Sequence, residues 1–219
     1  MTDADLALAR NAPNLSDQAY GQLSGMILQR ELTAGTFVVE ERLAEHLNIS
    51  RTPMREAILR LAAEGLLVKK GSRSYAVRTV TAAQFFQSHK VREWLEPEAV
   101  ELAIGNIPLA RLEEMRQRIT VLAGAELQER AHWEVDDQLH LMFADASGNT
   151  VLAGIIRQTR VTTRLFEVSN PLRRVRKDGE EHLAVIDAAI EGDVKGARRA
   201  MQRHIRNLVA DTMTILSGL

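Results

Sequence analysis

Four residues in the second half of the chain have types and spacings that could hold a metal. On the segment around 130 to 146, Trp133, Asp136, His140 and Phe143 fall on one helical stripe, so an aspartate and a histidine stand one turn apart on an apolar face. His182 shares a stripe with Val185, Ile186 and Ala189, and His204 lies on a stripe with Ala197, Met201, Leu208 and Ile215. Three helices thus offer polar groups to a common interior. A lone histidine on such a face is usually a hydrogen-bonded core residue. Three imidazoles together would compete for too few partners, and burying the aspartate unpaired would be costly. One carboxylate and three neutral imidazole nitrogens suit a divalent first-row metal and leave coordination positions open. Zinc is the first choice, with nickel, manganese or iron as alternatives.

A second group lies near the start. Ser50-Arg51-Thr52-Pro53 stands directly ahead of a run with helical period, and Arg55 follows one turn later. Met54, Ala57, Ile58 and Leu61 form the apolar stripe of that run, which turns Arg51, Thr52 and Arg55 outward. Ser50 or Thr52 can cap the helix, and Pro53 falls in the first turn, where no backbone N–H is needed. Free N–H groups with two arginines make an anion-attracting helix start. Between residues 51 and 78 seven bases face two acids, although the whole chain carries a net charge of only −1. The anion such a face suits is a nucleic-acid phosphate.

The elements that must position these residues are readable. Residues 1 to 14 show no period and read as a mobile tail. Helical spacing runs from Ala19 through Leu23, Met26 and Ile27, Gly35 breaks it, and a short helix follows around Glu40 to Leu47. Asn48, which tolerates a left-handed backbone, separates that helix from the third. After Gly65, residues 66 to 77 read as two short strands around a polar turn. Three helices and a hairpin over 15 to 79 are the layout of a winged helix-turn-helix, whose third helix enters the DNA major groove while the hairpin lies against the backbone.

Thr81-Ala82-Ala83-Gln84 has the form of a capping box, which places the boundary at 78 to 80. From there to Leu219 the period is helical, with breaks at Pro97 within a long helix, at 105 to 108, near Gln128, at 147 to 149, at Asn170-Pro171 and at Gly192-Asp193. The fold class is therefore mostly α: a winged helix-turn-helix, then an all-α bundle of six or seven helices over 80 to 219. The composition, 45% apolar, 26% charged and 4% aromatic, is that of a globular protein packed through aliphatic side chains. No cysteine is present, so disulfides and cysteine-based zinc sites are excluded. The first residues carry acids and no long apolar core, so the reading is a cytoplasmic protein without a membrane partner.

The run Glu40-Glu41-Arg42-Leu43-Ala44-Glu45-His46-Leu47-Asn48-Ile49-Ser50-Arg51-Thr52-Pro53-Met54-Arg55-Glu56-Ala57-Ile58, ending in Leu61 and Glu64-Gly65-Leu66, resembles the DNA-binding domain of GntR-family bacterial transcription regulators. The resemblance implies that Ser50, Arg51, Thr52 and Arg55 approach a short palindromic operator in double-stranded DNA, bound by a homodimer. Arg42, Lys69 and Arg73 complete the expected DNA-binding set. Asn48 stands where a glycine is common, Ala34 replaces a usual proline, and Ser74 occupies a frequent wing glycine.

Further on, Asp136-x-x-x-His140, Ser147-Gly148-Asn149, Glu181-His182, His204 and Arg92-Glu93-Trp94-Leu95-Glu96 resemble the metal-binding form of the FCD effector domain in the FadR-type branch of that family. In such domains the metal often holds an organic-acid carboxylate, and an arginine of the first long helix can meet it. Arg92 is that candidate, with an i, i+4 ion pair to Glu96 as its plainer role. The resulting expectation is a transcription regulator, a repressor, controlled by a small carboxylate effector held at the metal. A regulator that senses the metal directly is the nearest alternative. A metal-dependent enzyme is weaker, because no carboxylate is placed by the sequence as acid or base beside the metal: Glu181 points about 100° around the helix from His182.

Overall fold

A computed structural model of the chain describes residues 14–71, 74–125, 130–170 and 174–217. It divides into two compact units, Met1–Thr79 and Val80–Leu219. Of the tail expected over 1 to 14, residues 1 to 13 lie outside the described residues, as do Arg73, the break near Gln128 and Pro171.

In the first unit, α1 (Leu15–Leu28) starts at Asn14, whose side chain accepts the backbone N–H of Ser16. Asn14 is thus a cap rather than the end of a tail. A two-residue strand, β1 (Phe37–Val38), precedes α2 (Glu40–His46) and α3 (Arg51–Ala63). Strands β2 (Leu67–Lys69) and β3 (Tyr75–Val77) follow. The sheet order is β1-β3-β2, antiparallel throughout, with Val38 opposite Tyr75 and Val68 opposite Ala76. Sequence reading found the hairpin and missed β1, because two residues are too few to show alternation. Asn48 adopts φ 51° between α2 and α3, the left-handed conformation expected of it. Ala19, Leu23 and Ile27 of α1, Leu43 of α2 and Met54, Ala57, Ile58 and Leu61 of α3 are all buried, with α3 packed against both α1 and α2.

The second unit is six helices among the described residues: α4 (Ala82–Ala103), α5 (Leu109–Ala123), α6 (Arg130–Ala146), α7 (Thr150–Ser169), α8 (Val175–Ile190) and α9 (Val194–Leu216). Thr81 and Gln84 form the capping box expected at the start of α4. Pro97 was expected to break that helix, but α4 runs through it without interruption. Its ring is accommodated because Pro97 and its neighbours Glu96 and Ala99 are enclosed by the bundle, which holds the segment helical despite the lost N–H. Helix α8 begins a turn earlier than its apolar stripe suggests, since charged residues fill its first turn.

The main core is built from one stripe of each of five helices, including Val100, Ile119, Leu139, Phe143, Ile186 and Met201. Helix α7 closes the bundle through Leu152, Ala153 and Ile156 against Ala99 and Ala144. Ile215, expected on the inner side of α9, is 52% exposed, because the buried stripe of that helix ends at Thr212. No helix among the described residues is long and apolar enough to cross a membrane.

Candidate metal centre and DNA-reading face

The outer face of α3 carries Arg51, Thr52, Arg55, Glu56 and Leu59, all exposed. Ser50 occupies the cap position but its hydroxyl makes no capping hydrogen bond. Ser50 is exposed, and Pro53, the third helical residue, has no N–H to satisfy. Arg51 pairs with Glu41 of α2, so α2 steadies the first arginine of the reading helix. Arg42 is exposed on α2, and Lys69 is exposed at the end of β2. Lys70 N–H donates to the Ser74 carbonyl at 2.9 Å, closing the hairpin stem below its tip.

In the second unit, Asp136, His140, His182 and His204 each offer one ligand atom, and these four atoms lie within 4.8 Å of one another. Asp136 Oδ1 is 3.6 Å from His140 Nε2 and 3.4 Å from His182 Nε2, and the Nε2 atoms of His182 and His204 are 3.3 Å apart. All three histidines are buried. Helices α6, α8 and α9 converge here because each turns its apolar stripe inward and carries one or two of these residues on it.

Protonation favours ligation. Burial, reinforced by Arg160, pushes the His140 imidazole down to about 4, and burial with neighbouring His204 holds His182 well below its usual value. Burial alone would raise Asp136, yet Arg160 and Arg164 keep it well below the ordinary carboxylate range. The centre therefore presents an ionised carboxylate and imidazoles ready to donate lone pairs. His140 Nε2 is buried without any hydrogen-bond partner. A buried nitrogen facing a carboxylate with no proton between them is the arrangement a cation would satisfy.

Outer contacts orient this set. Glu96 takes Nδ1 of His140, and Glu181 accepts from Nδ1 of His204 at 2.8 Å. Asp136 Oδ2 accepts from Arg160 at 2.6 Å and also from Arg164, leaving Oδ1 for the centre. Glu181 was expected to point away from the metal site; it does not face the centre, yet it holds one of the ligands through the far ring nitrogen. Asp178, Glu181 and His204 also lie close enough to resemble a second site. Arg174 already occupies it, with Nε 3.0 Å from Asp178 and Nη2 2.7 Å from Glu181.

A cavity opens beside the centre. Arg92, Asp136, Arg164, Glu167 and His182 line its polar side, and Ile119, Leu122, Val135 and Leu208 its apolar side. Arg92 pairs with Glu96, Nε to Oε1 at 2.5 Å, the plainer of its two expected roles, and also donates to Thr163 Oγ1 at 2.9 Å. Trp133 is half-buried rather than core, with the Arg164 guanidinium 4.1 Å above its ring. Sequence reading missed Arg160, Arg164 and Glu167. Their spacing on α7 continues the stripe of Leu152 and Ile156, so charges on a buried face were the available signal.

Comparison with known proteins agrees with both halves. Residues 15–77 match the family model for bacterial regulatory proteins of the gntR family, and residues 87–207 match the FCD domain. The chain is 28% identical over 205 residues to an HTH-type transcriptional regulator in an unstable DNA locus of Streptomyces ambofaciens, covering 88% of this chain and 82% of that protein. It is 27% identical over 206 residues to the HTH-type transcriptional regulator McbR of Escherichia coli, covering 90% and 92%. The solved structure of E. coli McbR/YncC superimposes with a TM-score of 0.74 over 91% of this chain and 97% of that one, at 24% identity, a likeness of fold. A reading helix with a basic outer face, followed by a helical bundle with an Asp-His-His-His interior, accordingly belongs to a GntR-family transcription regulator with an FCD domain.

Proposed function

We propose that this regulator is a homodimeric repressor in the cytoplasm whose hold on a short palindromic operator is set by a small organic acid at a divalent metal. The observation that carries the reading is the buried, partnerless Nε2 of His140 within a cluster of four ligand atoms, beside a cavity lined by arginines. Asp136 Oδ1 and the Nε2 atoms of His140, His182 and His204 would hold the ion, zinc first. When bound, such a cation supplies a Lewis-acid centre with positions open to a carboxylate.

Around it the chain's own residues bind and orient. Arg92 and Arg164 offer positive charge at the cavity wall, and the apolar side excludes water from the remainder of the ligand. On the DNA, Ser50, Arg51, Thr52 and Arg55 contact the operator, with Arg42, Lys69 and Arg73 on the phosphate backbone. Elemental analysis of the purified full-length chain tests the first step. About one divalent ion per chain is expected, lost in His204→Ala. A metal content unaffected by substitution of any of the four ligands contradicts the site.

A further inference from the structure

We propose that Glu41 is a specificity-determining residue: by holding one end of the Arg51 guanidinium it keeps that arginine on a guanine edge and off the phosphates. The inference rests on the reading that Arg51 contacts the operator, and it names the positioning residue that decides what Arg51 recognises there.

Glu41 stands in the first turn of α2, and Arg51 is the first residue of α3. Nη2 of Arg51 donates to Oε1 of Glu41 from one helix to the other, with the two side chains 67% and 59% exposed. So open a pair adds little to stability, because water solvates both charges and salt screens them. Its effect lies in where it is placed. Among the described residues, Arg42 and Arg55 have no acidic partner, although Glu45 and Glu56 are exposed on the same two helices. The arginine that opens the reading helix is the one of the three that is tethered.

Tethering changes what the guanidinium can bind. Against a phosphate, an arginine already paired with a carboxylate brings no net charge, so it displaces no counterion, and the carboxylate is itself repelled. Against a base edge the donor count decides instead. Only Nη2 is engaged, which leaves Nε, Nη1 and the second hydrogen of Nη2. Two such donors side by side match O6 and N7 of guanine, whereas adenine presents a donor in place of O6, and thymine an acceptor beside a methyl group. Holding one end of the planar fork also removes the rotamers in which Arg51 reaches past the bases to the backbone. As DNA displaces water from the pair, the attraction between the two charges grows, so the restraint is strongest in the bound state.

The test uses the full-length chain and a duplex that it selects from a random library, read by fluorescence anisotropy. Each guanine of the half-site is replaced in turn, in both half-sites, by 7-deazaguanine, which keeps base pairing and removes the N7 acceptor. In wild type one replacement should weaken binding about fivefold or more, and in Arg51→Ala that penalty should vanish, which identifies the guanine read by Arg51. In Glu41→Ala the same penalty should fall below about twofold and a scrambled duplex should bind about twofold or more tighter, while penalties at the other guanines stay as in wild type. Glu41→Gln keeps an acceptor for Nη2 but loses the charge, so it should gain the same affinity for scrambled DNA and retain part of the penalty. A full wild-type penalty in Glu41→Ala, or an equal change on the selected and scrambled duplexes, overturns the role of Glu41 and leaves the Arg51 contact standing. The absence of any penalty that depends on Arg51 overturns both. If Glu41→Ala fails to fold by circular dichroism, the penalty and the scrambled-duplex affinity of Glu41→Gln decide.

Discussion

Glu96 on α4 takes the Nδ1 hydrogen of His140 on α6, and this bond fixes which nitrogen of the ring faces the metal centre. Glu96 is buried, and burial would raise its carboxyl, but Arg92 and His140 hold it well below the usual range, so it is an acceptor only. Nδ1 must therefore carry the proton, and Nε2 presents its lone pair toward Asp136. Because Arg92 holds the other oxygen of Glu96, the same carboxylate connects the cavity wall to a metal ligand.

Glu96→Gln leaves all four ligands in place but puts an amide beside Nδ1, which can turn its NH2 toward the ring. Zinc affinity, measured by competition with a chromogenic chelator, should fall roughly 10- to 100-fold, the usual effect of removing an outer partner of a histidine ligand. Unchanged affinity would mean that Glu96 does not orient the ring.

Gly179 on α8 lies where a Cβ would come 2.5 Å from the Cβ of Ala123 on α5. Gly179→Ala should lower unfolding free energy in urea by about 1 to 3 kcal/mol, the range for overpacking a close helix contact. Combining it with Ala123→Gly should recover part of the loss, since the shorter contact is removed while the 3.2 Å approach to the Ala123 Cα remains. No recovery in the double variant would place the strain elsewhere.

His89 gives a pH dependence with a definite sign. Burial, opposed by Glu167 and reinforced by Arg92, lowers its imidazole to about 4, while the unfolded chain titrates near ~6.5. Between those values the unfolded state binds the extra proton, so stability is full above the upper value and falls as pH drops toward the lower one. With metal chelated, His89→Gln should remove about 2 kcal/mol of the stability that wild type loses from pH 7 to pH 5. The neighbouring charges Glu167, Arg92 and Glu96 remain in both proteins. An identical loss in the two would show that His89 is not held neutral.

On the DNA side, Arg51→Ala and Arg55→Ala should each weaken specific operator binding by roughly 1 to 3 kcal/mol, while Lys69→Ala weakens all sequences alike and lessens the salt dependence. Anisotropy titrations against operator and scrambled duplex separate the two behaviours. Arg51 effects confined to scrambled DNA would demote it to a phosphate contact.

How far the sequence carried varies by element. The reading helix was legible because cap, proline and apolar stripe all lie within Ser50 to Leu61, and Asn48 marked its turn. The capping box at Thr81 announced α4, and the stripes around His140, His182 and His204 named the groups that converge. What stayed hidden depends on pairing across helices. Neither Glu96 meeting His140 nor Glu181 meeting His204 can be read from a period within one helix. Strand β1 was invisible for the same reason, being fixed by its partner β3. Pro97 misled because local preference was overridden by packing.

The most direct measurement is operator affinity of the full-length chain, by anisotropy on a duplex selected from a random library, with and without saturating organic acid, in zinc-loaded and chelated protein. The account predicts that acid weakens operator binding of the zinc-loaded chain by about 5- to 150-fold, the usual span of allosteric coupling, and leaves the chelated chain and His182→Ala unmoved. Equal operator affinity with and without acid in the zinc-loaded chain, for every acid that binds it, would contradict the claim that the metal-held ligand controls DNA binding.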